Sequence, residues 1–168
     1  MGIEIVPYSK SFDRSSFDCG TEELNRWLRT QASQQEKSGN TRTFLAVDGS
    51  RVVGYYATTA YRLEPEEAAG AFGAGGRRYP VPAVLLARLA VDKSCQGEGL
   101  GARLLLHALG ELLKVSHSVG FEVVVVHAVD EPAAAFYARF GFQPFANHPL
   151  HLFMPLKHLT ATFDAERQ

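Results

Sequence analysis

The apolar residues in the first third of the chain follow two different periods. Residues 3–8, IEIVPY, form a short β-type run. In residues 21–39 the apolar side chains recur every three to four positions, which predicts one amphipathic helix that ends at Gly39. Residues 41–61 contain two runs rich in β-branched and aromatic residues around the turn sequence DGS, which predicts a β-hairpin.

The rest of the chain alternates between strand and helix patterns after one irregular stretch. Residues 62–82, RLEPEEAAGAFGAGGRRYPVP, break every periodic pattern and predict a loop. Five elements are then predicted: a buried strand over 83–91, a helix over 99–118, a buried strand over 121–129, a short helix from Glu131 to Gly141, and a closing strand over 151–156.

This order of elements predicts an α/β (α+β) fold. We expect a mixed central sheet of six or seven strands with helices on both faces. The length of 168 residues fits one domain over 1–160, followed by a short tail over 161–168.

Composition places the chain among ordinary globular proteins. Its residues are 46% hydrophobic and 21% charged. The sequence has no apolar run long enough for a membrane span and no basic-then-apolar leader, so we expect a cytoplasmic protein that makes no membrane contact. Cys19 and Cys95 are far apart without metal-ligand spacing, which favours two reduced structural thiols and no metal site, although a reactive Cys95 remains an alternative.

Three glycines stand at the predicted junction of a strand and a helix, in the segment QGEGLGA, residues 96–102. A glycine-rich turn that leads into a helix exposes several backbone N–H groups at the positive end of the helix dipole, which suits a diphosphate. A P-loop is excluded because Gly101-Ala102-Arg103 does not supply its Gly-Lys-Ser/Thr ending.

A dinucleotide fingerprint remains a formal alternative for the same segment. Gly97, Gly99 and Ala102 fit the pattern G-x-G-x-x-A, and Glu122 lies twenty residues further on. That interpretation requires the motif in the first βαβ unit of two mononucleotide-binding halves, whereas a predicted hairpin precedes the motif here.

Read as Q-x-x-G-x-G, the segment resembles the pyrophosphate loop of the GNAT superfamily of N-acetyltransferases. The resemblance extends to the preceding strand LARLAV, the strand VVVVHAV and the segment AFYARFGF. It implies a GNAT fold with acetyl-CoA as co-substrate and no metal. The cofactor-binding residues that it implies are Leu89, Ala90 and Val91 on the strand, Gln96, Gly97, Glu98, Gly99, Leu100, Gly101 and Ala102 in the loop, and Phe136.

Within that superfamily the chain resembles the toxins of type II toxin–antitoxin pairs, the TacT and AtaT kind. The resemblance rests on FDCGTEELNRWL, GNTRTFLAV, PVPAVLLARLAVD and VHAVDEPAAAFYARFGF, within residues 17 to 157. It implies acetyl transfer to the α-amine of the amino acid on charged tRNA, which blocks translation. It also implies a ribbon-helix-helix antitoxin as partner and a homodimer.

Tyr137 matches the family tyrosine whose hydroxyl serves the coenzyme A sulfur as general acid. A phenol with a pKa near 10 keeps its proton at neutral pH, as this role demands. The competing interpretation is an aromatic core residue among Phe136, Phe140 and Phe142. We expect structural roles for His107 and His127 and, for Asp130 and Glu131, an N-cap and a first-turn residue.

Two features depart from the family pattern. Glu98 stands where the family loop commonly has a basic residue, so either the affinity for CoA is lower or another cation, with Arg103 as the candidate, compensates. The net charge of −1 gives no general attraction to nucleic acid. We therefore expect local cationic clusters to hold tRNA, with ordinary solvated charge as the alternative: Arg26 and Arg29, Lys37 and Arg42, and Arg77 and Arg78.

Two further functions remain open at this point. One is an acetyltransferase for a small amine or a protein N-terminus, which would not require aminoacyl-tRNA for turnover. The other is a non-catalytic module that binds acyl-CoA, against which the presence of Tyr137 argues.

Overall fold

The computed structural model describes residues 2–73 and 79–166, which contain seven strands and six α-helices. The strands are β1 (Glu4–Pro7), β2 (Arg42–Asp48), β3 (Arg51–Leu63), β4 (Val81–Val91), β5 (Val123–His127), β6 (Gln143–Phe145) and β7 (His148–Pro155). The helices are α1 (Glu22–Thr30), α2 (Ala32–Ser38), α3 (Pro65–Phe72), α4 (Leu100–Val115), α5 (Glu131–Arg139) and α6 (Leu156–Glu166).

The strands form one mixed sheet in the order β1-β2-β3-β4-β5-β7-β6. The β4–β5 pair is parallel, whereas β1–β2, β2–β3, β5–β7 and β6–β7 are antiparallel. This arrangement confirms the predicted fold class and the upper of the two predicted strand numbers.

The chain divides into two compact units, and three long elements, β3, β4 and α4, contribute residues to both. The first unit comprises Met1–Thr59 and Ala87–Gly110, and the second comprises Ala60–Leu86 and Glu111–Gln168.

The core of the first unit forms where α1 and α2 cover β2 and β3. Its centre is the indole of Trp27, which stacks on the ring of Tyr55 with centroids 5.8 Å apart and planes at 10°. The buried Tyr55 hydroxyl donates a hydrogen bond of 2.7 Å to the carbonyl of Leu24, so its polar end is satisfied inside the core.

The single helix predicted over 21–39 is wrong in one respect, because the structure divides it at Gln31. This residue has φ −114° and ψ −32°, and it ends α1 and precedes α2. Ala32, the first residue of α2, packs in the same core as Trp27, with none of its surface exposed. Gly39 ends α2 in the left-handed conformation, as predicted.

A glycine in β3 determines how closely α4 lies to the first-unit strands. A Cβ at Gly54 would lie 3.0 Å from Leu104 Cδ1, 3.2 Å from the carbonyl oxygen of Ala90 and 3.4 Å from Ala46 Cβ. The first two distances are shorter than ordinary packing contacts, so the sequence uses glycine where strand and helix approach closely.

The core of the second unit is built on β5, which is buried from Val123 to Val126. Phe153 on β7 packs edge-on against Phe145 on β6, with centroids 5.1 Å apart. Leu63 at the end of β3 completes this core.

The predicted loop over 62–82 is wrong for residues 65–72, which form α3. A capping box starts this helix: the Glu64 side chain accepts from the backbone of the third helical residue, Glu67, whose side chain accepts from the Glu64 amide. Pro65 occupies the first turn and Ala68 is buried in the second-unit core. These start signals were present in LEPEE, but the neighbouring glycines masked them.

Two further elements lacked a sequence signal strong enough for prediction. Strand β6 has only three residues, and helix α6 extends into the segment that was predicted as a tail, up to Glu166. Within the described part of the chain, each helix is too short or too polar to cross a membrane.

Candidate functional site

The glycine-rich segment connects β4 to α4 within the first unit. A 3₁₀ turn, Lys93–Cys95, follows β4, and α4 starts at Leu100. Gly97 and Gly99 have φ angles of 80° and 83°, a left-handed conformation that is costly for any residue with a Cβ. A Cβ at either position would meet no protein atom within 4 Å. The backbone conformation therefore requires glycine here, and the space beside both residues is open.

Helix α4 starts with amides that have no acceptor four residues earlier within the helix. The first bond of this kind is donated by the amide of Arg103 to the carbonyl of Gly99, at 3.1 Å. The amides of Leu100, Gly101 and Ala102 lie before Arg103, in the first turn of the helix. The positive end of the helix dipole lies at the same place. Loop and helix together provide a positively polarised stretch of backbone, open at both glycines, of the kind that binds a diphosphate.

Strand β4 extends beyond its ladder with β5. The ladder has four residue pairs, from Ala83–Val123 to Leu86–Val126, whereas β4 continues to Val91. The three strand residues predicted to contact the cofactor, Leu89, Ala90 and Val91, lie in this continuation.

Asp92 fixes the turn between β4 and the glycine segment. Only 4% of Asp92 is exposed, and its carboxylate accepts hydrogen bonds from Asp18 N (2.9 Å), Ser94 N (3.0 Å), Ser94 Oγ (2.6 Å) and Arg51 Nη2 (3.0 Å). Burial alone would raise the pKa of Asp92, but the hydrogen bonds from Ser94 and Asp18 and the charge of Arg51 outweigh burial and lower it. The carboxylate therefore stays ionised and joins three separate chain segments.

Gln96 provides the second attachment of the same turn. Its side-chain amide donates to the carbonyls of Cys19 (3.0 Å) and Val91 (2.9 Å). Both side-chain N–H groups are thus used within the protein, so they fix the turn.

The two charged residues that depart from the family pattern occupy the surface. Glu98 is exposed, which lets its carboxylate remain in solvent. Arg103, the predicted compensating cation, is also exposed, and its Nη2 donates to the carbonyl of Ile3 at 2.9 Å. This hydrogen bond ties the start of α4 to the N-terminal strand region.

Tyr137 lies on α5 in the second unit and is 8% exposed. Its ring packs edge-on against Phe136 at 5.3 Å and Phe142 at 5.8 Å. Burial raises the pKa of the Tyr137 phenol above its ordinary value, so the hydroxyl keeps its proton at neutral pH. Both interpretations of this residue, a proton donor and an aromatic core residue, are compatible with these contacts.

The start and end of α5 follow the sequence signals closely. The Asp130 side chain accepts from the amide of Ala133 at 2.9 Å, which confirms the predicted N-cap. Glu131 occupies the first turn, and Gly141 follows the helix with φ 96°. Phe136, half-buried, also packs against Phe140 at 5.2 Å.

The predicted cationic clusters differ in how their side chains are used. Arg29 donates to the carbonyl of Phe17 at 2.9 Å and pairs with Glu22 at 3.3 Å. Arg42 donates to the carbonyl of Glu36 at 3.0 Å. Two other members, Arg26 on α1 and Lys37 on α2, are exposed. The remaining predicted pair, Arg77 and Arg78, lies outside the described residues.

Arg88 was not singled out from the sequence. Its guanidinium carbon lies 4.5 Å from the centre of the Trp27 ring, and Nη2 lies 4.0 Å from a Glu23 oxygen. The Nε atom is buried and has no hydrogen-bond partner among the described residues. A charged residue inside an apolar strand run, LLARLAV, was the available signal.

His107 has a structural setting, as predicted. Its Nδ1 lies 2.8 Å from the Tyr56 hydroxyl, and its ring lies 4.9 Å from that of Phe44.

Comparison with known proteins identifies relatives over nearly the whole chain. Residues 39–144 match the family model described as an acetyltransferase (GNAT) domain. A "tRNA-acetylating toxin" of Mycobacterium tuberculosis is 37% identical over 156 residues, which cover 91% of this chain and 92% of the relative.

Two solved structures show the same similarity in three dimensions. AtaT complexed with acetyl-methionyl-tRNAfMet is 31% identical, with a TM-score of 0.82 and coverage of 96% of this chain and 98% of that one. A mutant AtaT toxin bound to the C-terminus of the antitoxin AtaR and acetyl-CoA is 30% identical, with the same TM-score and coverage.

Proposed function

Since the chain belongs to the acetyltransferase (GNAT) domain family, we propose that it transfers the acetyl group of acetyl-CoA to the α-amine of the amino acid on charged tRNA. The enzyme class follows from the family: the protein is an acetyl-CoA-dependent N-acetyltransferase. The tRNA substrate follows from the relatives, because the M. tuberculosis protein is named for tRNA acetylation and AtaT is known in complex with an acetylated methionyl-tRNA.

The observation that carries this proposal is the glycine segment at the start of α4. Gly97 and Gly99 hold left-handed backbone conformations beside open space, and the first-turn amides of Leu100, Gly101 and Ala102 follow directly. In the proposal these backbone N–H groups bind the diphosphate of the coenzyme. In the proposal Glu98 contributes its backbone N–H, while its exposed carboxylate stays in solvent.

The strand before the loop has a matching role in the proposal. Pantetheine is an extended chain with two amide groups, so it can pair with a strand as a peptide does. In the proposal, β4 supplies the backbone groups for this pairing and for the thioester oxygen. These groups belong to Leu89, Ala90 and Val91, which lie beyond the last residue pair with β5.

Tyr137 acts in this proposal as the general acid for the departing thiolate. Burial raises the pKa of the phenol, so the hydroxyl is fully protonated at neutral pH, as a proton donor has to be. Phe136, which packs on the same ring, belongs to the cofactor side of the site.

The substrate tRNA requires positive charge, which the chain provides locally. In the proposal the exposed Arg26 and Lys37 contact phosphates, whereas Arg29 and Arg42 contribute charge that Glu22 and Glu36 partly neutralise. Arg77 and Arg78 are proposed phosphate contacts on their sequence alone.

The biological setting that we propose is a type II toxin–antitoxin pair. AtaT is known with the C-terminus of its antitoxin AtaR bound, and we propose a ribbon-helix-helix antitoxin as the corresponding partner of this chain. Homodimerisation and a cytoplasmic location, where charged tRNA and acetyl-CoA occur, are further parts of the proposal.

In vitro translation with added acetyl-CoA tests the proposal, with mass spectrometry of the amino acids released from tRNA. The expected result is inhibited translation and N-acetylated amino acids, both dependent on acetyl-CoA. Uncharged tRNA, peptides with free N-termini and small amines serve as competing acceptors. Acetylation of one of these acceptors, with charged tRNA unmodified, would refute the proposed substrate. Binding of the coenzyme without any turnover would refute the proposed enzymatic activity.

A further inference from the structure

Three histidines form a continuous stack in the second unit. His127, the last residue of β5, pairs in register with His151 on β7. Their rings lie 3.8 Å apart with planes at 20°, and His148 stacks on the other side of His151 at 3.6 Å and 6°. Tyr61 packs edge-on against His127 at 5.8 Å. The stack therefore runs from the exposed His148 to the half-buried His127.

His127 stands where β5 separates from β4. The last residue pair of the parallel ladder is Leu86–Val126, and His127 follows immediately. Its Nε2 atom is buried and has no hydrogen-bond partner among the described residues. A buried nitrogen without a partner costs about 1–3 kcal/mol, and such an atom in a native structure calls for an occupant.

The surroundings keep the His127 ring neutral. Among the described residues, the titratable groups that face it are Tyr61 on β3, Glu67 on α3, and His148 and His151 on β7. Burial lowers the pKa of His127, an effect that the charge of Glu67 opposes and His148 reinforces.

Two of these neighbours are themselves held uncharged near neutral pH. Burial lowers the pKa of His151 to about 4. Tyr61 donates a 2.9 Å hydrogen bond to Glu67, and burial raises its pKa to about 12. At pH 7 His127 is therefore a neutral imidazole, in which one ring nitrogen carries a lone pair that can accept a hydrogen bond.

A metal ion does not account for the stack. The rings lie face to face, so their nitrogens do not converge, and no group of three metal-ligating side chains in the described part of the chain is placed to hold an ion.

We propose that Nε2 of His127, for which the sequence predicts a structural role, instead accepts the hydrogen bond, and then the proton, of the amine that the enzyme acetylates. This inference rests on the proposed function, and it adds a catalytic residue on the acceptor side of the reaction. His151 and Tyr61 are positioning residues, because one stacks on the His127 ring and the other packs edge-on against it.

The proposed step is balanced in atoms and charge. The amine nitrogen forms a bond to the thioester carbonyl carbon while the C–S bond breaks. One proton leaves the nitrogen for His127 Nε2, and one proton passes from the Tyr137 hydroxyl to the coenzyme thiolate. Return of a proton from the imidazolium to the phenolate, through solvent, restores both residues for the next turnover.

The test compares His127→Phe with His148→Phe in the full chain. Both substitutions keep an aromatic ring in the stack, but only the first removes the proposed acceptor. With total tRNA charged by purified synthetases, we expect His127→Phe to lower kcat/KM about 100-fold, the lower end of general-base effects. His148→Phe should stay within about twofold, and the Kd for acetyl-CoA should be unchanged in both. His127→Ala should regain part of its rate when imidazole is added, which a purely structural role would not produce.

Two further readouts separate this inference from the proposed function. If the wild-type protein acetylates charged tRNA and folded His127→Phe keeps at least a third of that rate, the inference is overturned while the function stands. If the wild-type protein leaves charged tRNA unmodified, the proposed function fails. The histidine is then judged by ¹⁵N NMR with puromycin, an aminoacyl nucleoside with a free α-amine. A shifted His127 Nε2 resonance supports the inference, and an unshifted one refutes it.

Discussion

Replacing Asp92 by asparagine tests whether the buried carboxylate holds the proposed coenzyme loop in place. Asp92→Asn keeps the shape of the side chain but removes its charge and turns one acceptor oxygen into an NH₂ group. If the remaining oxygen faces Ser94 and Arg51, the new NH₂ faces the amide of Asp18, which was bonded at 2.9 Å. Two donors then oppose each other in a site that is 4% exposed.

The expected loss follows from these contacts. One buried donor left without an acceptor costs about 1–3 kcal/mol, and a hydrogen bond to a charged group contributes about 1.5–3 kcal/mol. Arg51 is 42% exposed, so water compensates part of its lost partner. We therefore expect a decrease of about 3 kcal/mol in the free energy of unfolding at pH 7. Because the pKa of Asp92 is lowered on folding, this contribution is present above pH 4 and disappears on further acidification.

Urea unfolding followed by tryptophan fluorescence measures this loss, since Trp27 is the only tryptophan and is buried in the same unit. Titration with coenzyme A should show a Kd about tenfold higher, if about 1.4 kcal/mol of the loss falls on the loop.

Asp13 is the matched control, because its exposed carboxylate accepts from Ser15 N at 2.9 Å and Ser15 Oγ at 2.6 Å in the same local geometry. Asp13→Asn should cost no more than about 0.5 kcal/mol. Equal, small losses in both variants would refute the reasoning.

Four other substitutions have defined outcomes. Tyr137→Phe should lower acetyl transfer at least 100-fold with an unchanged urea midpoint; an active variant would remove the phenol from the mechanism. Gly99→Ala should cost about 1–2 kcal/mol in the loop and raise KM for acetyl-CoA, measured by steady-state kinetics; an unaltered KM would argue against the loop as coenzyme site. Tyr55→Phe should reduce unfolding free energy by about 1–2 kcal/mol, through loss of the bond to Leu24, while the transfer rate stays the same. Arg26→Glu should weaken tRNA binding and flatten its dependence on salt, and equal affinity at low salt would exclude Arg26 as a phosphate contact.

Local sequence signals were sufficient for most elements and for the loop. The left-handed conformations at Gly97 and Gly99 and the cap at Asp130 each depend on neighbours within a few residues, so their patterns were readable. The failures were also local: the Pro65 helix start was hidden among glycines, and the turn at Gln31 interrupts a pattern that is continuous in sequence.

Contacts between distant segments could not be predicted in the same way. Asp92 caps a local turn, but its bond to Asp18 crosses 74 positions in the sequence. The histidine stack depends on the register between β5 and β7, which places His127 opposite His151. A shift of one residue would move every side chain of a strand to the other face, and no short motif encodes that register.

Gly54 is a position where a substitution should reduce activity although the residue meets no ligand. Any side chain there would press on Leu104 and on the carbonyl of Ala90, so the strand or the helix that starts at the proposed coenzyme loop would have to shift. If the protein arrests growth when it is produced, cells selected for survival should carry lesions at this codon as well as at Tyr137. Such survivors would contain a folded protein that has lost its coenzyme, through a mutation hidden beneath a helix.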